Sequence, residues 1–218
     1  MSPDRPMTDL LGATGEPGLP WQGHGPRSIH DHVMRPIVRQ LNTVEAHTVL
    51  DLGCGNGWFT GALDRCGFET LGVDHDAARL DAARRQYPHM RFRQMDAMQP
   101  LDLGLALRFD AVVAIDVVDH VPWPRKLVET ALDALKPGGM LVVTSPYYGY
   151  AKNIALALTG RFDARWDPLL EHGRLKFFSR ATLTALLSEF ELRDLHFETV
   201  GRIPPFARAM MISAITAR

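Results

Sequence analysis

Residues 49–57 read VLDLGCGNG, and this stretch decides the fold. A mostly apolar run passes directly into a loop with glycine at every second position, and a helical pattern begins at once. Glycine suits such a loop because a Cβ would hold a ligand away from the backbone and because the turn needs unusual φ and ψ angles. A strand that enters a glycine-rich turn and then a helix is typical of nucleotide-binding α/β domains.

Beyond this unit, short apolar runs alternate with amphipathic helical patterns. The alternation predicts an α/β fold, with a mostly parallel sheet and helices on both faces. Two final extended runs, near 193–200 and 209–217, are joined by a short turn and predict an antiparallel strand pair. The other expected elements are strands at 48–52, 70–74, 91–95, 111–115 and 140–144, and helices near 57–66, 76–86 and 124–135.

The chain divides into an N-terminal tail and one domain. Residues 1–27 are rich in proline and glycine, and we expect a flexible tail or lid there. Residues 28–218 form the domain, which opens with a helix that Pro36 is expected to kink or split. The stretch 145–178 lacks a clear pattern and is long for a connection, so we expect an irregular insertion that caps a substrate.

Composition excludes several classes of function. Lys and Arg number 24 and Asp and Glu 25, and this near-neutral charge argues against a nucleic-acid partner. Cys54 and Cys66 lack the spacing of a zinc site or disulfide framework, which favours a reducing cytoplasm. No apolar run reaches the roughly 18–20 residues that span a bilayer, so membrane insertion is not expected.

One aspartate stands at the end of each of three successive predicted strands, namely Asp51, Asp74 and Asp96. Asp51 can accept a hydrogen bond from a cationic amino group, Asp74 can bind both hydroxyls of a ribose, and Asp96 can receive an exocyclic amine. Such a row suits a positively charged nucleoside without phosphate and repels pyrophosphate. As an alternative, each aspartate can be a helix N-cap.

The segment 47–146 resembles the core of the class I S-adenosylmethionine (SAM)-dependent methyltransferases, in particular the small single-domain branch that includes the ubiquinone-biosynthesis O-methyltransferases. Residues 51–57 resemble the first motif of that family, Asp74 and Asp96 its ribose and adenine contacts, and 135–141 its turn before strand five. The resemblance implies a Rossmann-like sheet of seven strands, with the seventh inserted beside the fifth, and SAM as cofactor. The cofactor contacts that we expect are Asp51, Gly53, Cys54, Gly55, Gly57, Asp74, His75, Asp96, Ala97, Ile115 and Asp116.

Two histidines compete for the role of general base in such a reaction. His120 follows the fourth predicted strand, and His172 lies at the end of the insertion, in a motif that resembles the entry to the following helix in these enzymes. A base is needed only if the acceptor has a proton to lose, as a phenol does. Each histidine also has a purely structural interpretation, in which backbone groups or core packing hold the ring.

Asp116, Asp119 and His120 carry the spacing of a Glu-x-x-Glu-His pattern that the resemblance associates with a divalent metal in ubiquinone O-methyltransferases. Two carboxylates and an imidazole can hold a hard cation. Both carboxylates are shorter here by one methylene, and many relatives with this pattern use no metal. A metal is therefore an alternative, and a metal-free reaction is the favoured interpretation.

The resemblance implies transfer of a methyl group to a small molecule, by O-methylation of a phenolic, quinol-like or other natural-product-type acceptor. The aromatic composition of 145–178 suits a cap over such an acceptor, but also a short helix on the core or a homodimer contact. A regulatory SAM-binding protein and an NAD-dependent oxidoreductase are the alternatives, although the glycines lack the dinucleotide spacing Gly-x-Gly-x-x-Gly. The expected substrate contacts are Tyr147, Tyr148, Trp166 and His30.

Overall fold

A computed structural model describes residues 28–102, 104–161, 173–201 and 207–217. Seven strands form one sheet in the order β3-β2-β1-β4-β5-β7-β6. None of the helices in these described ranges is long and apolar enough to cross a membrane. In chain order the elements are α1 Ser28–Thr43, β1 Thr48–Leu52, α2 Trp58–Arg65, β2 Glu69–Asp74, α3 Ala77–Gln86, β3 Arg91–Gln94, β4 Phe109–Ile115, α4 Pro124–Ala134, β5 Leu135–Pro146, α5 Tyr150–Leu158, α6 Arg180–Ser188, β6 Leu192–Val200 and β7 Ala209–Thr216.

The expected fold class is confirmed. Strands β1 to β5 run parallel, and β7 pairs antiparallel with both β5 and β6. The seventh strand therefore lies between the fifth and the sixth, as the resemblance implied. This order places the carboxyl ends of β3, β2, β1, β4 and β5 side by side along one edge, where ligands bind in open α/β sheets.

Two expectations about single elements need correction, namely the split of α1 at Pro36 and the irregularity of 145–178 throughout, although a kink at Pro36 stays a prediction. Helix α1 runs through Pro36 without being split. The buried side chains on both sides of Pro36, among them Met34 and Ile37, hold the two halves against the sheet and offset the lost hydrogen bond. The stretch from 145 onward is not irregular throughout, because β5 continues to Pro146 and α5 then forms a helix.

The core lies on both faces of the sheet. In β4, Ala111 and Val113 face α1 and α2, whereas Val112 and Ala114 face α4 and α6. Strands covered on both faces must be apolar at every position, and this explains their unbroken hydrophobic runs. The side chains that the helices contribute to the core include Val33, Met34, Ile37, Leu41, Ala62, Leu63, Leu127, Val128, Ala131, Leu183, Leu186 and Leu187.

Asp110 joins three strands at the edge opposite the carboxyl ends. Its carboxylate accepts hydrogen bonds from the backbone of His47 and Thr48 at 3.0 and 2.8 Å, and from Lys136 Nζ at 2.7 Å. Burial opposes the charge of this carboxylate, but the hydrogen bonds from Lys136, Thr48 and His47 outweigh it and hold the pKa of Asp110 below its usual range. The start of the sheet is thus fixed by a charged group.

Candidate active site

The glycine loop between β1 and α2 combines tight packing with one open position. Gly53 and Gly55 both have positive φ, at +83° and +56°. A Cβ on Gly53 would lie 2.5 Å from the side chain of Val117, so this glycine allows the loop to pack on the chain after β4. A Cβ on Gly55 would meet no described atom within 4 Å. The loop therefore leaves space beside its backbone at Gly55, where a ligand can approach.

Asp74 ends β2 and holds this loop in place. Its side chain is 4% exposed, its Oδ2 accepts a hydrogen bond from Gly55 N at 2.8 Å, and its Oδ1 accepts one from Asp76 N at 2.9 Å. Each carboxylate oxygen can accept a second hydrogen bond. The adjacent His75 is largely exposed, with Nδ1 3.4 Å from Asp74 Oδ1. This pair stands at the edge of the sheet where the sequence places the ribose.

Asp51 lies beneath the loop and not on its surface. The residue is 1% exposed, and Thr60 Oγ1 donates a 2.6 Å hydrogen bond to its Oδ2. Burial raises the pKa of Asp51 to about 7, and the nearby charge of Asp74 adds to this, against the hydrogen bond from Thr60. The thiol of Cys54 is buried as well, and burial raises its pKa. The acid and the thiol form the inner wall of the loop.

Asp96 follows β3 and stays close to β2. Met95 N donates a 2.9 Å hydrogen bond to the carbonyl oxygen of Asp74, which keeps the chain beside β2 past the end of β3. Asp96 is half-buried and its Oδ1 accepts a hydrogen bond from Met98 N at 2.9 Å, while Ala97 packs on the core. The structure thus brings the three aspartates to the ends of three neighbouring strands.

The chain after β4 begins with a strained residue. Ile115 ends β4, and Asp116 has φ +55°, a left-handed conformation that non-glycine residues seldom adopt. Asp116 N donates to Thr144 Oγ1 at 2.9 Å, and the threonine hydroxyl donates to Asp116 Oδ1 at 3.2 Å. Strain of this kind concentrates at functional sites. It turns the chain so that Val117 packs on Gly53.

Asp119 is the centre of a second polar cluster. Its side chain is 2% exposed, and its Oδ2 accepts a 2.8 Å hydrogen bond from Arg174 Nε, with His120 Nε2 3.7 Å away. Its carbonyl oxygen accepts hydrogen bonds from the backbone of Leu175 and Lys176 at 2.8 and 3.0 Å. Burial, and after it the charge of Asp116, raises the pKa of Asp119. This residue ties the segment after the insertion to the chain after β4.

The alternative metal set of Asp116, Asp119 and His120 does not fit a cation in this structure. Within the described residues, no three histidine, cysteine or acidic side chains come together in a group that could hold an ion. Asp119 instead carries the guanidinium of Arg174, and Asp116 is hydrogen-bonded to Thr144. The two aspartates that stand where the resembling enzymes have glutamates are thus hydrogen-bonded to other side chains of this chain.

The expected acceptor contacts are described in part. Tyr147 and Tyr148 are half-buried after β5, Tyr147 packs on the core, and the ring of Tyr148 meets that of Phe177 edge-on at 5.7 Å. The two ends of the insertion therefore meet through an aromatic contact. Trp166 and His172 lie outside the described residues, and so does the side chain of His30, although its backbone belongs to α1.

Sequence reasoning missed three residues of this site, namely Thr60, Thr144 and Arg174. Thr60 and Arg174 are nine and 55 positions from their aspartate partners, and nothing local marks them. Thr144 pairs with Ile115 in the parallel register of β4 and β5. Aligning the two predicted strands would have placed its hydroxyl beside the end of β4.

Comparisons with known proteins show the family to which the chain belongs. The sequence model of a family described as "Methyltransferase domain" matches residues 23–196. A ubiquinone biosynthesis O-methyltransferase from Bradyrhizobium sp. (strain ORS 278) is 32% identical over 161 residues, which cover 71% of this chain and 61% of that protein. The match thus spans about three fifths of that relative. Another protein of the same name, from Xylella fastidiosa (strain M23), is 26% identical, and the alignment covers 90% of this chain and 82% of that protein.

A solved structure shows the same fold. The methyltransferase domain of bacterial CtHen1 superposes with a TM-score of 0.67 at 17% identity, and the alignment covers 86% of this chain and 99% of that domain. At this level of identity the likeness concerns the sheet and its helices alone.

Proposed function

The chain belongs to the methyltransferase domain family, and on that premise we propose that it transfers the methyl group of SAM to an oxygen of a small phenolic or quinol-like acceptor. The observation that carries the proposal is the open glycine loop at Gly55, beside aspartates at the ends of three neighbouring strands. Membership in the family implies SAM as the cofactor. A row of acids matches this cationic nucleoside, whereas a dinucleotide would place a pyrophosphate there.

Each acid has a separate task in this proposal. Asp74 binds the ribose hydroxyls with the lone pairs that its backbone hydrogen bonds leave, and His75 covers the outer side. Asp96 and Ala97 hold the adenine. Asp51 supplies a negative charge from beneath the loop toward the amino end of the cofactor. The remaining contacts that we assign to the cofactor are Gly53, Cys54, Gly55, Gly57, Ile115 and Asp116.

When bound, SAM supplies a methyl group on a sulfonium, a strong electrophile with a good leaving group. The main task of the protein is then to place the acceptor oxygen, and placement alone can be worth about 7–11 kcal/mol. Tyr147, Tyr148 and Trp166 are proposed to line the acceptor site, together with His30 from α1. The names of the relatives support an oxygen as the acceptor atom, because both are O-methyltransferases of ubiquinone biosynthesis.

A phenolic acceptor must lose its proton, and His120 and His172 are the proposed bases. His120 lies beside the buried carboxylate of Asp119, which can orient the ring and stabilise its protonated form. General-base catalysis contributes about 10²–10⁴-fold. Replacing each histidine by alanine is expected to lower turnover of a phenol; a loss of less than about tenfold in both variants would contradict a histidine base.

The domain organisation is proposed on the same basis. Residues 28–218 form the methyltransferase domain, 145–178 cap the acceptor, and 1–27 act as a tail or lid. We propose that the protein works in the cytoplasm on a small molecule and without nucleic acid. The alternative use of 145–178 is a homodimer contact.

A transfer assay with tritiated SAM tests the proposed function. The purified chain is incubated with separate phenols, catechols, quinols and amines, and label in the extracted products is counted. We expect label in at least one phenolic product, and none with Asp74→Ala. Label found only in amines would contradict O-methylation. Binding of SAM without transfer to any acceptor would favour the regulatory alternative.

A further inference from the structure

We propose that Arg174 supplies a fixed positive charge for the two acids of the Asp116, Asp119 and His120 set, so that methyl transfer in this protein needs no divalent metal ion. The proposal deepens the proposed function, because it concerns the same site. It rests on an ion pair between the chain after β4 and the segment 173–179.

The carboxylate of this ion pair is buried, whereas the guanidinium is partly exposed. Asp119 keeps 2% of its side chain exposed and Arg174 keeps 35%, and the two are joined by a 2.8 Å hydrogen bond. A buried carboxylate is costly unless a cation or several donors compensate it, and a second acid, Asp116, lies close enough to disfavour its charge. The imidazole of His120, 3.7 Å away, and the guanidinium of Arg174 both favour the charge, and Arg174 donates a hydrogen bond to the carboxylate. Guanidinium is well suited to the task because it stays charged at every physiological pH.

One observation could favour a metal instead. Asp119 Oδ1 is buried and has no hydrogen-bond partner among the described residues. A divalent ion on this oxygen would share a single carboxylate with the guanidinium of Arg174. Two cations a few ångströms apart repel each other, and the repulsion is stronger where burial lowers the dielectric, as it does around Asp119. A neutral donor, such as a water or the hydroxyl of an acceptor, suits Oδ1 without this conflict.

The backbone holds Arg174 in this position. Leu175 and Lys176 both donate backbone hydrogen bonds to the carbonyl oxygen of Asp119. Together with the side chain of Arg174, three consecutive residues are therefore hydrogen-bonded to Asp119. The next residue, Phe177, meets the ring of Tyr148. Arg174 is thus a positioning residue, since it acts on the acceptor side of the site through Asp119 and through the segment that it anchors.

Titration with Mn²⁺, followed by the electron paramagnetic resonance signal of the free ion, tests the proposal without any acceptor. We expect no specific binding to the wild-type protein, and an affinity at least about tenfold higher in Arg174→Ala, because the acids then lack their cation. Arg174→Lys keeps a charge and is expected to resemble the wild type. If the alanine variant does not fold, Arg174→Gln takes its place.

Arg125→Ala is the matched control, because among the described residues the guanidinium of Arg125 pairs with Glu189 at the surface and not with Asp116 or Asp119. It is expected to leave Mn²⁺ binding unchanged. Specific binding of Mn²⁺ to the wild-type protein, or no gain on neutralising Arg174, overturns the proposal. A failure of the proposed function would appear differently, as absence of transfer to every acceptor whatever the result with Mn²⁺.

Once an acceptor is known, kinetics provide a second readout. We expect wild-type turnover to persist after EDTA treatment. Arg174→Ala is expected to raise KM for the acceptor and lower kcat, together by about tenfold or more, while the affinity for S-adenosylhomocysteine stays unchanged. A wild-type enzyme that loses its activity on chelation and regains it with Mg²⁺, or an alanine variant with wild-type kinetics, contradicts the proposal.

Discussion

Two glycines share the same local geometry, and only one of them lies in the proposed cofactor site. Gly55 and Gly67 both have positive φ, at +56° and +97°, and a Cβ on either would meet no described atom within 4 Å. Alanine therefore brings only backbone strain at both positions, about 1–2 kcal/mol. Only Gly55 belongs to the loop that we assign to the cofactor.

We expect Gly55→Ala to weaken binding of S-adenosylhomocysteine by tenfold or more, because the new methyl group would occupy the approach to the loop. Gly67→Ala is the control and should lose similar stability without loss of affinity. Calorimetric titration and thermal denaturation of both variants measure the two effects. Equal affinities in the two variants would place the ligand elsewhere.

Asp51 makes the stability of the folded protein depend on pH, and the sign of this dependence follows from its raised pKa. Its pKa is raised from 3.8 to about 7 by burial, so the folded state keeps a proton that the unfolded state has lost. The protonated carboxyl of Asp51 stabilises the folded state fully below the pKa of the unfolded state. This stabilisation, up to about 4 kcal/mol, is lost as pH rises through about 7. We expect Asp51→Asn to gain in stability over the wild type between pH 4 and pH 8 in ligand-free denaturation. A difference that does not change with pH would mean that Asp51 is ionised throughout.

The same group predicts how the cofactor binds. A cationic ligand favours the ionised form of Asp51, so the affinity for S-adenosylhomocysteine, which keeps the amino group of SAM, should rise from pH 5.5 to pH 7.5 in the wild type. The rise should be absent in Asp51→Asn. Titrations in buffers of different ionisation enthalpy would also reveal the released proton. An affinity independent of pH in the wild type would contradict a charge contact with Asp51.

At the scale of elements, the start of the sheet depends on one side chain. Asp110 accepts hydrogen bonds from β1 and from Lys136 of β5, while it belongs to β4. We expect Asp110→Asn to destabilise the fold by about 1–3 kcal/mol, because the hydrogen bonds to a charged acceptor are weakened. Denaturant unfolding measures the change, with the exposed Asp81→Asn as a control of less than about 0.5 kcal/mol.

The contribution of Asp110 to stability depends on pH in the opposite direction to that of Asp51. The pKa of Asp110 is lowered in the folded state, so its contribution is present above the ordinary value of 3.8 and is lost as pH falls through and below that value. The difference between wild type and Asp110→Asn should therefore shrink in acid. A constant difference down to pH 3 would contradict the charged role of Asp110.

The helices and strands follow from local patterns, and this is why most of them could be predicted. The glycine turn and the alternation of apolar runs lie within short windows, so β1, β2 and α4 were expected within one or two residues of where they lie. The effect of Pro36 was misjudged because tertiary packing holds α1 together, whereas α5 was missed because its ends carry no local signal. Burial of the apolar face of α1 outweighs the proline, and the sequence of α5 carries neither a proline start nor a capping side chain.

At the scale of the whole molecule, the sheet order could be expected from the resemblance, and the three aspartates from their places at strand ends. The pair of Arg174 with Asp119 could not, since it joins residues 55 positions apart and Arg174 lies on no predicted strand. A sequence indicates which residues stand at the edge of a sheet. It does not indicate which of them neutralise one another there.

We propose that the glycine loop and the acids beside it bind SAM, and calorimetry of the ligand-stripped protein with S-adenosylhomocysteine measures this binding without any acceptor. We expect binding at one site in the wild type and in Asp81→Ala, and loss of binding in Asp74→Ala, whose carboxylate holds Gly55 and is proposed to bind the ribose. A wild-type protein that gives no heat of binding with either SAM or S-adenosylhomocysteine would contradict the claim.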